Sequence, residues 1–148
     1  MGPELRRAVR TLALAGRGLE RAAAPLTLPQ YRVLTLIATA PERVSRLAAQ
    51  VDVTKAALTG VLDALEGHGW IRRTGVAGDR RGVALELTTQ GATVLETAEA
   101  AMADWLERVL GTGDPRRSRR VVDGVVGLGD ALGEHHRRLT AGTLGVDR

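Results

Sequence analysis

The 148-residue chain contains no cysteine and no phenylalanine; lysine occurs once, as Lys55, and aromatic residues make up only 2%. Without cysteine there is no disulfide, no thiolate metal site and no cysteine redox switch, which suits a reducing cytoplasm. Histidine is scarce too. His135 and His136 are neighbours in a helical stretch and point about 100° apart, so they cannot easily share one ion, and His68 is the only other; no metal or cofactor is expected. Long apolar runs are missing as well. Arg10, Arg17, Glu20 and Arg21 interrupt the first segment long before a bilayer is spanned, and they spoil a secretory core after Arg6 and Arg7. The beginning therefore reads as a folded helix. Nothing resembles a Ser-His-Asp arrangement, a phosphate loop or a zinc-binding helix, so catalysis is not expected.

What is present suits one soluble domain: 44% hydrophobic and 26% charged residues at a length that can bury a real core. The net charge of +4 is carried almost entirely by arginine and is unevenly spread. Residues 1–88 hold thirteen basic against eight acidic side chains, whereas residues 89–148 hold eight against nine. The positive half is a reasonable footprint for a phosphate backbone.

Periodicity divides the chain. Residues 4–24 read as a helix with Leu5, Val9, Leu12, Gly16 and Leu19 on one stripe, ended by Pro25. Thr27-Leu28-Pro29-Gln30 opens a second helix: Thr27 caps it, Pro29 sits in its first turn, and Gln30 completes a capping box. Tyr31, Leu34 and Ala38 share its face, and it ends near Pro41. A short third helix is expected at about Val44 to Gln50, then a turn at Asp52-Val53. Thr54 caps a fourth helix that buries Leu58, Val61, Leu62 and Leu65 and stops at Gly67-His68-Gly69. The period then changes to two. Residues 70–74 and 83–88 read as strands, joined by a glycine-flanked turn from Ala77 to Gly82 with arginines at its tip. From Thr89 the helical period returns, with Val94, Leu95, Ala98, Ala101, Met102, Trp105, Leu106 and Val109 on one stripe. A last helix, about 116–139, aligns Val121, Val122, Val125, Leu128 and Leu132. Four glycines (124, 127, 129 and 133) weaken it by ~1 kcal/mol each, so it needs a partner surface. Residues 140–148 read as a loose tail.

Short helix, turn, second helix and basic hairpin make the layout of a winged helix–turn–helix. The fold class is mostly α: a winged helix–turn–helix lobe at residues 27–88 with a two-stranded wing, flanked by helices at 4–24 and 89–139. A helix fits the major groove, and an arginine-tipped wing suits the neighbouring minor groove. Thr54, Lys55, Ala56 and Thr59 face away from the apolar stripe and are candidate groove residues; Arg72, Arg80 and Arg81 are candidate backbone or minor-groove contacts. Arg72 and Arg73 alternate sides of their strand, so one of the pair is expected to reach phosphate. The run Arg116-Arg117-Ser118-Arg119-Arg120 reads as a solvated helix start or a dimer rim in preference to a second nucleic-acid patch, an unusual place for cations given the helix dipole.

The segment from Asp79 to Thr88 (DRRGVALELT) resembles the wing signature of the MarR family of regulators, in which Asp, Arg and Leu-Thr recur at this spacing; Thr89-Gln90-Gly91 continues the family's Leu-Thr-x-x-Gly helix start. Residues 58–65 and Gly69-Trp70-Ile71 are similar to the family's recognition helix and its exit, and residues 27–31 to the start of its second helix. The resemblance implies a homodimer held by interlocked N- and C-terminal helices, binding a pseudo-palindromic operator on double-stranded DNA. It also implies repression that a small-molecule effector relieves, with effector-binding residues unknown. Asp63 and Asp79 match positions that orient the wing, Asp63 by pairing with Arg81. At Gly60 the sequence departs from relatives that carry arginine or another polar side chain. The shortage of aromatics argues against a pocket that stacks several rings on its ligand. The competing expectation is a winged-helix protein–protein module without DNA binding, which an acidic or apolar exposed face on the fourth helix would favour.

Overall fold

The computed structural model describes residues 2–39, 42–43, 47, 54–76, 79–111 and 113–143. For Glu42, Arg43, Lys55, Val76, residues 79–82, His136 and residues 139–143 it describes the backbone alone. Labels count the described elements in chain order: α1 (Pro3–Ala22), α2 (Leu28–Thr39), β1 (Glu42–Arg43), α3 (Lys55–Gly67), β2 (Ile71–Val76), β3 (Asp79–Leu87), α4 (Thr89–Leu110) and α5 (Pro115–Thr143). The helix expected at 44–50 and the turn at Asp52-Val53 lie outside the described residues, except that Leu47 is helical and fully buried. Two compact units result, Met1–Leu106 and Glu107–Arg148.

In the first unit, local chemistry sets each helix start. The Thr27 N–H donates to Gln30 Oε1 at 2.9 Å and the Gln30 N–H donates back to Thr27 Oγ1 at 3.3 Å, closing the expected capping box on α2. Val33, Leu34 and Ile37 of α2 are buried. The expected stripe was displaced: Ala38 is exposed and Tyr31 half-buried, because packing centres on the larger β-branched and leucine side chains. Around them gather Ala23, Leu26, Leu47, Leu58, Leu62, Leu65, Ile71, Leu85, Leu95, Ala98 and Met102. Burying a leucine in such a core contributes about 1.5–3 kcal/mol. The Tyr31 hydroxyl lies 3.4 Å from Glu99 Oε1, a polar link from α2 to α4. Burial raises its pKa above the ordinary tyrosine value; Thr35 partly offsets this, and the Glu99 carboxylate adds to it.

The wing has its two expected strands, β2 and β3, paired antiparallel. β1 adds a third, giving the order β1-β3-β2, with Glu42 opposite Leu85 and Arg43 opposite Ala84. Two residues have no readable period, so sequence pattern could not reveal β1. The hairpin is also longer than expected: β2 reaches Val76 and β3 begins at Asp79, so 79–82 are strand backbone rather than turn. The register jumps there, from Gly75 opposite Val83 to Val76 opposite Asp79. An irregularity of this kind bends and twists a hairpin.

α1 buries only Gly18 among its residues and exposes Leu5, Val9, Leu12 and Leu14. Gly18 seats the Trp105 ring of α4 so closely that a Cβ would overlap it. In the second unit, Asp114 Oδ1 accepts the Arg116 N–H at 3.0 Å and Pro115 occupies the first turn of α5. That cap places an acid beside the arginine run. α5 continues to Thr143, beyond the expected end at 139, and exposes Val121, Val122, Val125, Val126, Leu128 and Leu132.

Two glycines should respond in opposite directions. A Cβ at Gly91 would overlap the Trp70 carbonyl, a backbone group that cannot swing aside, so Gly91→Ala should cost at least the ~1–3 kcal/mol of an overpacked site. Gly60 has open space around it within α3, so Gly60→Ala should stabilise by up to ~1 kcal/mol. Denaturant titration of both variants reads the signs directly. The chain's single tyrosine also makes spectrophotometric titration unambiguous. Its phenolate should appear above the ordinary pH, and Glu99→Gln should lower that midpoint.

Candidate nucleic-acid interface

Thr54 holds extended backbone, φ −65° and ψ 153°, and its Oγ1 accepts the Ala57 N–H at 3.2 Å while its carbonyl accepts the Leu58 N–H at 2.9 Å. This cap fixes where α3 begins. Leu58, Leu62 and Leu65 are buried and Val61 is half-buried, as the sequence pattern requires. The opposite surface is therefore settled: Thr54, Ala56, Thr59 and Gly60 are exposed. None of these side chains is longer than threonine, so this face is low in profile and could approach base edges in a groove about 12 Å wide. Lys55 is helical in its backbone; its side chain lies outside the described residues.

α3 ends through Gly69, whose φ of +71° few other residues adopt. The His68 and Trp70 rings then stack, with centroids 4.3 Å apart. β2 leaves from here beside α3. Arg80 and Arg81 belong to the first residues of β3, as does Asp79, and the side chains of all three lie outside the described residues. The Asp63–Arg81 pairing that the resemblance implies lies outside the described residues as well. Asp63 accepts from Arg73 Nη2 at 2.8 Å.

Arg72 and Arg73 do take opposite faces. Arg72 Nε and Nη2 both donate to Glu86 Oε2, at 2.9 and 2.7 Å, across the strand pair that sets Arg72 opposite Glu86. Arg73 turns to α3, where Nη1 also lies 3.2 Å from Glu66 Oε2. Glu66 and Arg73 were missed as site residues; alternation along β2 gave Arg73 its face, but only the fold supplied its partners.

Residues 26–83 match the model of the MarR family. Among curated proteins, an HTH-type transcriptional repressor of Bacillus subtilis, YetL, is 38% identical over 85 residues, covering 55% of this chain and 47% of that protein. The chain thus spans about half the length of the curated relatives it matches. Among solved structures, the Mycobacterium tuberculosis MarR family protein Rv2887 in complex with salicylic acid superposes with a TM-score of 0.69 at 26% identity, over 86% of this chain and 97% of that one. The transcriptional repressor CouR bound to a 23-mer DNA duplex gives 0.69 at 27% identity, over 82% and 88%. Among the described residues no helix is long and apolar enough to cross a membrane.

The cap is open to a simple check. Thr54→Ala should cost ~1 kcal/mol, lowering the melting temperature by a few degrees, while Thr54→Ser should retain most of the stability. Thermal denaturation of the two variants separates hydroxyl capping from any contribution of the methyl group.

Proposed function

We propose that this chain, a MarR-family member through its lobe at residues 26–83, is a sequence-specific DNA-binding transcriptional repressor. The observation that carries the reading is the low-profile exposed face of α3, set by the Thr54 cap, beside an arginine-bearing hairpin. In this reading Thr54, Lys55, Ala56 and Thr59 enter the major groove, Arg80 and Arg81 reach backbone or minor groove from the wing, and Asp63 and Asp79 orient the wing. A DNA complex of CouR, similar over most of its length, supports the same use of the lobe here. The reading assigns the chain no catalysis and sets it in the cytoplasm.

The operator is read by a homodimer. α1 and α5 each expose an apolar stripe in the single protomer, Leu5, Val9 and Leu12 on one and Val121, Val125 and Leu132 on the other. Such surfaces are costly in water, and a glycine-weakened α5 gains most from cover by a second copy. The effector in this reading is a small aromatic acid, the class that Rv2887 holds, and its binding relieves repression.

The test is enrichment of bound duplexes from a random library, followed by footprinting and sedimentation. A dimer should protect two half-sites about one helical turn apart. Arg81→Ala should weaken binding to every sequence and lower the slope of log affinity against log salt by about 0.9, whereas Thr59→Ala should relax one base position by ~1 kcal/mol. Salicylate should release the enriched duplex. No enrichment from the library would sink the DNA-binding reading, and a folded monomer at micromolar concentration would sink the dimer.

A further inference from the structure

The foot of the wing holds more charge than its exposed arginines suggest. Asp63 and Glu66 stand three residues apart on α3, and the Arg73 guanidinium straddles them, 2.8 Å from Asp63 Oδ1 and 3.2 Å from Glu66 Oε2. Arg73 is the less accessible of the two β2 arginines, its side chain 39% exposed against 67% for Arg72. Arg72 in turn is held by Glu86. Two features make the acids hard to explain as helix stabilisers. They lie in the C-terminal half of α3, where the helix dipole disfavours negative charge, and they sit on the element that faces a polyanion. With Arg73 between them the group still carries a net negative charge.

We propose that Asp63, Arg73 and Glu66 form a specificity clamp that withholds Arg73 from the DNA backbone and braces the wing against α3. The inference rests on the reading of α3 and the hairpin as the DNA-binding surface. Arg73 is then a positioning residue. Its fork spans two carboxylates, a geometry that fixes β2 relative to α3 more tightly than a single contact could. Asp63 and Glu66 cost the protein affinity for DNA in general, because they repel phosphate and occupy a cation that phosphate would otherwise attract. What they give in return is discrimination: backbone attraction is confined to the groove face of α3 and the wing tip, where binding depends on register. Removing the acids should make the protein bind DNA better and choose it worse.

The experiment measures affinity for a library-enriched duplex and for a random 25-base-pair duplex across a salt titration. The proteins are wild type, Asp63→Asn/Glu66→Gln, Arg73→Gln, the triple variant and Arg73→Lys. The acid-free variant should bind the random duplex several-fold more tightly, with a salt slope steeper by about 0.9 for the one released arginine. That added slope should vanish in the triple variant. Arg73→Gln alone should leave the slope unchanged while lowering the enriched-to-random affinity ratio several-fold, and Arg73→Lys, which keeps the charge without the fork, should fall between it and wild type. Far-ultraviolet dichroism and melting curves confirm that the variants compared are folded. The clamp is overturned if Arg73→Gln lowers the slope by a full phosphate contact, or if the steeper slope persists in the triple variant. Wild type binding neither duplex would instead overturn the DNA-binding reading on which the clamp rests.

Discussion

One threonine hydroxyl holds the working parts of the lobe together. Thr88 Oγ1 donates to the Gly69 carbonyl at 2.6 Å and accepts the Gly91 N–H at 3.0 Å, while the Thr88 N–H donates to the Trp70 carbonyl at 3.1 Å. Within four residues it caps α4, receives the exit of α3 and fixes the base of the wing, where Ile71 stands opposite Leu87. Gly91 has no side chain because the Trp70 carbonyl occupies the space. The Leu-Thr-x-x-Gly pattern at 87–91 thus has a mechanical meaning: an inward leucine, a hydroxyl with one donor and one acceptor both used, and a bare Cα against backbone. Shift any of these and the angle between α3 and the hairpin shifts with them.

Charge is organised around that joint. Arginine supplies nearly all the cations, and its planar fork can span two carboxylate oxygens or two carboxylates in a way lysine cannot. Arg72 and Arg73 are both committed to acids at the foot of the hairpin. Exposed pairs of this sort contribute little to stability, about 0–1 kcal/mol each. Their value lies in geometry and in which charges remain available to solvent. A count of basic residues along the chain therefore overstates the attraction that the lobe offers a phosphate backbone.

Much of this was legible in the sequence, where local rules decide the outcome. The capping box at Thr27 and Gln30, the Thr54 cap and the left-handed Gly69 follow from the chemistry of single turns. The buried leucines of α3 follow from helical spacing, and their placement fixes its exposed face. What escaped depended on distant chain. β1 is too short to carry a pattern, residues 79–82 look like a turn although Asp79 pairs with Val76 and the register shifts there, and Arg73 finds Glu66 only once β2 lies along α3. Ala38 kept the right spacing but lost its place to larger neighbours.

The seat of Trp105 on Gly18 has a mechanical consequence of its own. From Trp105 back to Thr89, α4 is a rod of about 24 Å at 1.5 Å per residue. The ring lies against bare backbone at one end of this span and the Thr88 joint lies at the other, with Leu95 and Ala98 of α4 buried in the core between them. Strain from a side chain at position 18 would therefore fall on the Trp105 ring and on α1, with the buried Leu95 and Ala98 standing between it and the Thr88 joint.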